Sequence, residues 1–133
     1  MKKVIFLLLA CLQLSFFGVS AFAQSAPKSS EFEVLYFHYT RRCSTCLEVE
    51  KNSKVAVANL NSDKVKPGQY TFKSINLDEA SADVIAKKFK IGGQALIVVK
   101  GDKKCDITNI AFMNSDDSQK IKEEIKKAVG KIK

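Results

Sequence analysis

The feature that most constrains the fold of this chain is a Cys-x-x-Cys motif at the junction of a strand-like and a helix-like segment. Cys43 and Cys46 lie three residues apart, so on a helix they share one face and their sulfur atoms can approach within bonding range. The preceding run, 32–40, is apolar, aromatic and β-branched, which is typical of a buried strand. A helix is predicted to begin at residue 44 or 45 and to reach about residue 60. The sequence therefore predicts a dithiol held where a strand passes into a helix.

The surroundings of the motif favour reactive sulfur. Arg41 and Arg42 directly precede Cys43, and both positive charge and a helix N-terminus favour a thiolate over a thiol. Cys43 comes first and is the predicted nucleophile, whereas Cys46 lies one turn inward and is the predicted buried, resolving cysteine. A purely structural disulfide is the alternative, but so small a loop constrains the unfolded chain little. We therefore predict reversible thiol–disulfide exchange that requires no cofactor, with the two arginines tuning the thiolate.

The first 23 residues differ in character from the rest. Two lysines precede an almost entirely apolar stretch, 4–19, and Ala21-Phe22-Ala23 matches a signal-peptide cleavage signature. We predict a signal peptide over 1–23 and export to the periplasm, with an uncleaved membrane anchor as the main alternative. A lipid on Cys11 is a second alternative, because residues 8–11 resemble a lipobox, although the apolar run continues well past this cysteine.

The remainder has the composition and length of one soluble domain. The whole sequence is 46% hydrophobic and 27% charged, and a small, polar linker over 24–30 precedes a predicted domain over 31–133. After the signal segment no run is long enough to span a bilayer. The net charge of +8 is spread thinly, without an arginine-rich tract, which argues against a nucleic-acid partner. Three cysteines remain, so at least one is unpaired or pairs between molecules; Cys105 is interpreted as a small buried residue.

Hydrophobic periodicity and turn signals predict the remaining elements of the domain. They are a strand over 70–76 after a Pro67-Gly68 turn, a helix capped by Asp78 or Ser81 that runs to about residue 89 and is stopped by Gly92-Gly93, a strand over 95–100 covered on both faces, and a hairpin through 101–104 to a strand over 105–110. The last helix is predicted to be capped by Ser115, helped by Asp116 and Asp117 in its first turn, with a buried stripe of Ile121, Ile125 and Val129. The order β-α-β-α-β-β-α predicts a parallel first β-α-β unit, a hairpin, and a mixed sheet with helices on both faces.

This order, with Cys-x-x-Cys between the first strand and first helix, resembles the thioredoxin fold, a three-layer α/β sandwich with a central mixed four-stranded sheet. The resemblance covers 31–133 and extends to Ile91-Gly92-Gly93 before the third strand. More closely, four strings resemble a small bacterial group labelled the nitrophenyl compound nitroreductase subunit ArsF family. These strings are Tyr36-Phe37-His38, Thr40–Cys46, Ile75-Asn76-Leu77-Asp78 and Thr108–Phe112. No flavin or nicotinamide site is recognisable, so the residues themselves do not support nitroreduction.

Three positions depart from the thioredoxin pattern. Arg42 stands where an aromatic residue usually precedes the first cysteine, and Phe37 lies near the place of a buried acid. The resemblance makes Gln94 and Ala95 a substrate-facing loop, with Ala95 in place of a cis-proline that exposes backbone to substrate and limits metal access. We expect the Gln94–Ala95 bond to be trans, because a non-proline cis bond costs about 2.5–4 kcal/mol.

Metal binding is therefore the main alternative function. Cys43 and Cys46 could together hold a soft ion such as Cu(I) or Zn(II), but a closed zinc site needs about two more ligands. His38 and Cys105 are the obvious candidates, and neither has metal-motif spacing; His38 is interpreted as a packed strand histidine. The leading prediction is an exported thiol–disulfide oxidoreductase that acts on exported protein thiols or disulfides and meets a membrane or periplasmic redox partner. The alternative is a soft-metal-binding or partner-binding module with little or no disulfide reductase activity.

Overall fold

The computed structural model describes residues 31–63 and 69–133. Its elements are β1 (Phe32–His38), α1 (Ser44–Ser62), β2 (Tyr70–Asn76), a single 3₁₀ turn (Ala80–Ala82), α2 (Asp83–Lys88), β3 (Ala95–Lys100), β4 (Lys103–Asp106), α3 (Thr108–Met113) and α4 (Ser118–Ile132). The predicted signal peptide with its alternatives, the 24–30 linker and the Pro67-Gly68 turn lie outside the described residues. No helix within the two described stretches is both long enough and apolar enough to cross a membrane.

The four strands form one mixed sheet in the order β2-β1-β3-β4. β1 and β2 are parallel, joined by α1, whereas β3 runs antiparallel to both β1 and β4. The predicted parallel β-α-β unit, the hairpin and the mixed four-stranded sheet are all confirmed. Because parallel strands end at the same edge, the register brings His38 at the end of β1 beside Asn76 at the end of β2.

A hydrophobic core lies on each face of the sheet, because alternate residues of a strand point to opposite sides. Phe32, Val34 and Tyr36 of β1 belong to the core covered by α1, α3 and α4. Leu35 and Phe37 belong to the core on the other face, against the α2 region. All five are fully buried, and burial of each such side chain contributes about 1.5–3 kcal/mol. All residues of β3 except the last, Lys100, are buried, which confirms that this strand is covered on both faces.

The apolar stripe predicted for the last helix is confirmed. The buried residues of α4 are Ile121, Ile125, Ala128, Val129 and Ile132. They face α1, whose own buried residues are Cys46, Val49, Ser53, Ala56, Val57 and Leu60. The packing of α4 on α1 therefore supports the helix that carries the cysteine motif.

The prediction that Ser115 caps the last helix was wrong. Asp117 is the cap, and its Oδ1 accepts hydrogen bonds from the backbone N–H groups of Gln119 and Lys120 at 3.0 and 3.1 Å. A carboxylate at this position satisfies two free donors and carries a charge that suits the positive end of the helix dipole. Ser115 instead lies against α1, where its carbonyl oxygen accepts from the Asn52 amide at 2.7 Å.

A short helix, α3, replaces the end of the predicted fourth strand. That strand was predicted over 105–110, but β4 ends at Asp106, whose Oδ1 accepts from the Thr108 N–H at 2.9 Å and from the Thr108 hydroxyl at 2.6 Å. Such a turn around an aspartate diverts the chain from the ladder. Thr108 Oγ1 in turn accepts from the Leu96 N–H at 3.0 Å and so replaces the acceptor that a longer strand would have supplied.

Neither residue predicted to cap the second helix does so. The 3₁₀ turn follows Glu79, which makes no side-chain capping hydrogen bond, and α2 follows Ala82, which has no side-chain acceptor to offer. The Asp78 carboxylate instead accepts from the backbone N–H of Thr40, ahead of the cysteine motif. The Asp78 carboxylate, predicted to accept from the N-terminal N–H groups of the helix, therefore accepts from Thr40, which is distant in sequence.

The same helix ends at Lys88, close to the predicted end near residue 89, but Lys90 rather than the Gly92-Gly93 pair terminates it. Lys90 has a φ of 53°, in the left-handed region, and its N–H donates to the Lys87 carbonyl at 3.1 Å. The Ile91 N–H donates to the Ala86 carbonyl at 2.8 Å. This pair of hydrogen bonds is the Schellman arrangement, which satisfies carbonyl groups at a helix end.

β4 is a short edge strand with exposed lysines. Lys103 and Lys104 are both exposed, and β4 pairs with β3 along one side. The Lys104 ammonium donates to the Phe89 carbonyl just after α2, and the Lys103 ammonium donates to the Lys133 carbonyl at 3.2 Å. The two lysines therefore join the edge of the sheet to the ends of two helices.

Replacing Asp117 with alanine is expected to lower Tm by a few degrees at about pH 7, because two backbone donors lose their acceptor. Hydrogen bonds, the largest from the Lys120 N–H, hold the pKa of Asp117 below its usual range. Since the folded-state pKa is the lower one, the stabilisation is complete above the unfolded-state pKa of about 4 and is lost as pH falls through the folded value. Circular-dichroism melts at about pH 7 and pH 2.5 should therefore show the wild-type advantage disappearing in acid. Ser115→Ala is the matched control, and equal Tm values for the two variants at neutral pH would refute the assignment of the cap.

Candidate active site

The cysteine motif begins where β1 has ended and α1 starts. Cys43 is the N-cap residue of α1, with extended backbone at φ −80° and ψ 170°. Its carbonyl oxygen accepts the first hydrogen bond of the helix, from the Leu47 N–H at 3.2 Å. Cys46 therefore lies in the first turn, as the sequence predicted, and both cysteines are at the positive end of the helix dipole.

The two sulfur atoms are in close contact but differ in exposure. Cys43 Sγ and Cys46 Sγ lie 2.7 Å apart. Cys43 is exposed, whereas Cys46 is only 3% exposed, and both are free thiols. A partner in solution can therefore reach Cys43 directly, while Cys46 is accessible mainly to its neighbour.

The environment of Cys43 favours its thiolate. A hydrogen bond from the Cys46 side chain is the largest cause that lowers the pKa of Cys43, and the backbone N–H groups of the first turn, that of Cys46 foremost, lower it further. The Cys43 side chain makes no strict capping hydrogen bond, so these N–H groups act on the sulfur through weak contacts and their partial positive charge. Exposure also lets water solvate the charged form.

Tyr36 fixes the first turn of α1 to the sheet. Its ring is fully buried on β1, and its hydroxyl donates to the Cys46 carbonyl oxygen at 3.0 Å. Burial is the largest cause that raises the pKa of Tyr36, with the nearby Cys46 adding to it, so the hydroxyl stays protonated and remains a donor. This hydrogen bond thus anchors the backbone of Cys46 to β1 of the sheet. Sequence reasoning placed Tyr36 only in a family string and missed this role.

Arg42 is engaged by a carboxylate of the helix. Its guanidinium donates to Glu50 Oε2, and Lys54 Nζ lies 2.9 Å from Glu50 Oε1. Burial alone would raise the pKa of Glu50, but hydrogen bonds, led by that from Lys54, outweigh it and hold this pKa below its usual range. Glu50 therefore stays ionised and partly neutralises Arg42, whereas Arg41 is exposed. Tuning of the thiolate by the two arginines stays a prediction.

The loop before β3 places its two predicted site residues differently. Gln94 Nε2 donates to Cys46 Sγ at 3.3 Å, so the Gln94 side chain touches the dithiol. Ala95 is the first residue of β3, pairs with Phe37, and is buried in the core on the α2 side of the sheet. No peptide bond among the described residues is cis, which confirms the expected trans Gln94–Ala95 bond. Gln94 also lines an open cleft of about 500 Å³ together with residues 106–110.

The loop that precedes Cys43 is held by the end of β2. The Thr40 N–H donates to Asp78 Oδ2 at 2.7 Å, and Asn76 Nδ2 donates to the Thr40 hydroxyl at 2.9 Å. The hydrogen bond from the Thr40 N–H is the main cause that lowers the pKa of Asp78. These contacts join the segment Thr40–Cys46 to the segment Ile75–Asp78, which lies far away in sequence. Sequence reasoning gave neither Asn76 nor Asp78 a role at the site. The signal was available, since parallel β1 and β2 must end side by side.

His38 and Cys105, the two further candidate metal ligands, have other surroundings. His38 is 7% exposed, its Nδ1 lies 2.9 Å from the Tyr39 carbonyl oxygen, and its ring centroid is 5.7 Å from that of Tyr36. Cys105 lies on edge strand β4 and packs against the α4 side of the core. Within the described residues, no group of three or more His, Cys, Asp or Glu side chains could hold a metal ion.

Glu50→Gln is expected to lower the pKa of Cys43 further. The substitution removes a negative charge from the first turns of α1 and frees the Arg42 guanidinium from its ion pair. The pH dependence of thiolate absorbance, or of alkylation by iodoacetamide, measures this change. Reactivity of Cys43 at mildly acidic pH should rise.

Glu48→Gln is the matched control, because it removes the same charge from an exposed position on the same helix. Glu48 contacts Ser115 rather than Arg42. An equal shift in both variants would show that only the net charge matters, and no shift in either would contradict the proposed coupling between Glu50 and the thiolate.

Comparison with known proteins agrees with this architecture at the level of the fold. No family model matches the chain, and no curated protein sequence matches it. Among solved structures, the chain is similar to the first thioredoxin domain of mouse Protein disulfide-isomerase A4, with a TM-score of 0.51 and 16% sequence identity. The alignment covers 74% of this chain and 64% of the other, so it spans somewhat less than two thirds of the mouse chain. At this identity the likeness shows the fold alone, and the chain has the predicted thioredoxin-like α/β fold.

Proposed function

We propose that the protein is an exported thiol–disulfide oxidoreductase in which Cys43 is the nucleophile and Cys46 the resolving cysteine. The observation that carries this proposal is the contact of an exposed and a buried sulfur, 2.7 Å apart, at a helix N-terminus. The lowered pKa of Cys43 favours the thiolate form at a sulfur that a partner can reach. No cofactor is part of the proposal, because the two sulfurs supply both electrons.

The reaction proceeds in two exchanges. The Cys43 thiolate attacks one sulfur of a substrate disulfide, which forms a mixed disulfide and releases the other substrate sulfur as a thiolate. The Cys46 sulfur then gives up its proton and attacks Cys43 Sγ, which forms the Cys43–Cys46 disulfide and releases the second substrate sulfur. The substrate gains two electrons and the protein loses two. In the reverse direction the same steps oxidise a pair of substrate thiols.

Export and partners belong to the proposal as well. The signal-like segment over 1–23 supports delivery to the periplasm, a compartment in which disulfides form and persist. The substrates would be thiols or disulfides of exported proteins, and a membrane or periplasmic partner would restore the dithiol.

We also infer a relationship to the ArsF group from the four strings that resemble it. Supporting this inference, Thr40 of one string is hydrogen bonded to Asn76 and Asp78 of another, beside the cysteine motif. A third string begins at Thr108, which lines the same cleft as Gln94. The proposed chemistry is thiol exchange rather than nitroreduction, because it uses the cysteines that these strings surround.

Cys43→Ser is expected to reduce the rate of insulin disulfide reduction by about 10²-fold or more, since a serine hydroxyl is not ionised at neutral pH and is a far weaker nucleophile. Cys46→Ser should retain the first attack and accumulate a mixed disulfide, visible as a mass increase after incubation with oxidised glutathione. Together the two variants separate attack from resolution.

Cys105→Ser is the control in the same assay, because Cys105 lies on β4 and packs into the core away from the motif. It should keep wild-type turnover. Turnover that survives Cys43→Ser would sink the proposed mechanism. Absence of turnover in the wild type, together with binding of one equivalent of Cu(I) by the dithiol, would favour the soft-metal alternative.

A further inference from the structure

The Gln94 side chain, in the loop before β3, reaches a sulfur of the cysteine motif. Its Nε2 lies 3.3 Å from Cys46 Sγ and donates to it, whereas neighbouring Ala95 is buried on the opposite face of the sheet. Gln94 is half-buried, so water shields this contact less than it would on an open surface. The loop thus brings a fixed, uncharged hydrogen-bond donor to the sulfur that has no direct access to solvent.

We propose that Gln94 is a positioning residue that stabilises the reduced form of the dithiol through Cys46. A thiol or thiolate sulfur accepts a hydrogen bond better than a disulfide sulfur, because it carries more negative charge. The amide therefore favours the reduced state and makes the disulfide a stronger oxidant. The same contact holds Cys46 Sγ beside Cys43 Sγ. Cys46 Sγ therefore already lies next to the sulfur that it must attack to resolve a mixed disulfide.

The tether to β3 gives this donor its fixed position. Gln94 immediately precedes the first residue of β3, which is paired with β1 through Ala95 and Phe37. On the dithiol side, Tyr36 of β1 holds the Cys46 carbonyl at 3.0 Å. Gln94 is thus joined directly to β3, and the backbone of Cys46 in α1 is hydrogen bonded to Tyr36 of the adjacent strand β1.

The inference rests on the proposed function, but its test is an equilibrium measurement that needs no turnover. The reduction potential of the Cys43–Cys46 pair is determined against glutathione for wild type, Gln94→Leu and Gln94→Glu. Leucine removes the donor, and glutamate removes it and adds a negative charge beside the sulfur. The equilibrium constant should shift toward the disulfide by about three- to tenfold in Gln94→Leu, and further in Gln94→Glu. A tenfold change corresponds to about 30 mV for this two-electron couple.

Asn109→Leu is the matched control, since Asn109 is exposed and lines the same cleft without a hydrogen bond to either sulfur in the described structure. Its potential should equal that of the wild type, and mass spectrometry should show a longer-lived glutathione adduct only in the Gln94 variants. Potentials of both Gln94 variants within error of wild type, or an equal shift in Asn109→Leu, would overturn the role of Gln94. A wild type with a reversible potential but no insulin reduction would instead overturn the proposed activity and leave the Gln94 result standing.

Discussion

The hydrogen bond from the Tyr36 hydroxyl to the Cys46 carbonyl is the contact on which the geometry of the site depends. It fixes the first turn of α1 to the central strand of the sheet at the turn where the reactive sulfurs lie. Besides this hydrogen bond, the first turn of α1 is held by the contact of Gln94 with Cys46 Sγ and by the loop that precedes Cys43. A tyrosine suits this position because its ring belongs to the core while its hydroxyl reaches the helix backbone.

Around that anchor, charge and hydrogen bonding are distributed asymmetrically between the two cysteines. The exposed Cys43 receives backbone N–H groups and its neighbour's thiol, whereas the buried Cys46 receives the side-chain amide of Gln94. The nearest arginine pairs with Glu50, which limits how much of its charge reaches the thiolate. The site therefore uses dipoles and uncharged donors more than formal charges, and such interactions are less sensitive to salt than an exposed ion pair.

The sequence was sufficient for three of the four strands and their pairing, because periodicity and turn signals act over short distances. The bounds of β2 and β3, the parallel first unit and the buried stripe of α4 all follow from such local patterns. Some errors were local, such as the choice of Asp117 over Ser115 as a cap, and others occurred where a side chain has a partner distant in sequence. Asp78 caps no helix because Thr40 competes for its carboxylate, and the predicted strand past Asp106 gives way to α3 because Thr108 closes the ladder. At the site, the cysteines were found from spacing, but Tyr36, Glu50 and the sulfur contact of Gln94 required tertiary structure.

The lysine-bearing edge strand β4 has a consequence for how this sheet can meet other polypeptide chains. Partly unfolded polypeptides expose strands that add readily to an unprotected sheet edge, and this can seed aggregates. Here that edge is four residues long and carries Lys103 and Lys104, whose ammonium groups are held by carbonyls of neighbouring elements. Another polypeptide chain that approaches β4 therefore meets a short, positively charged strand with which backbone pairing is unfavourable. The β4 side of the sheet is therefore a poor surface for the addition of a further strand.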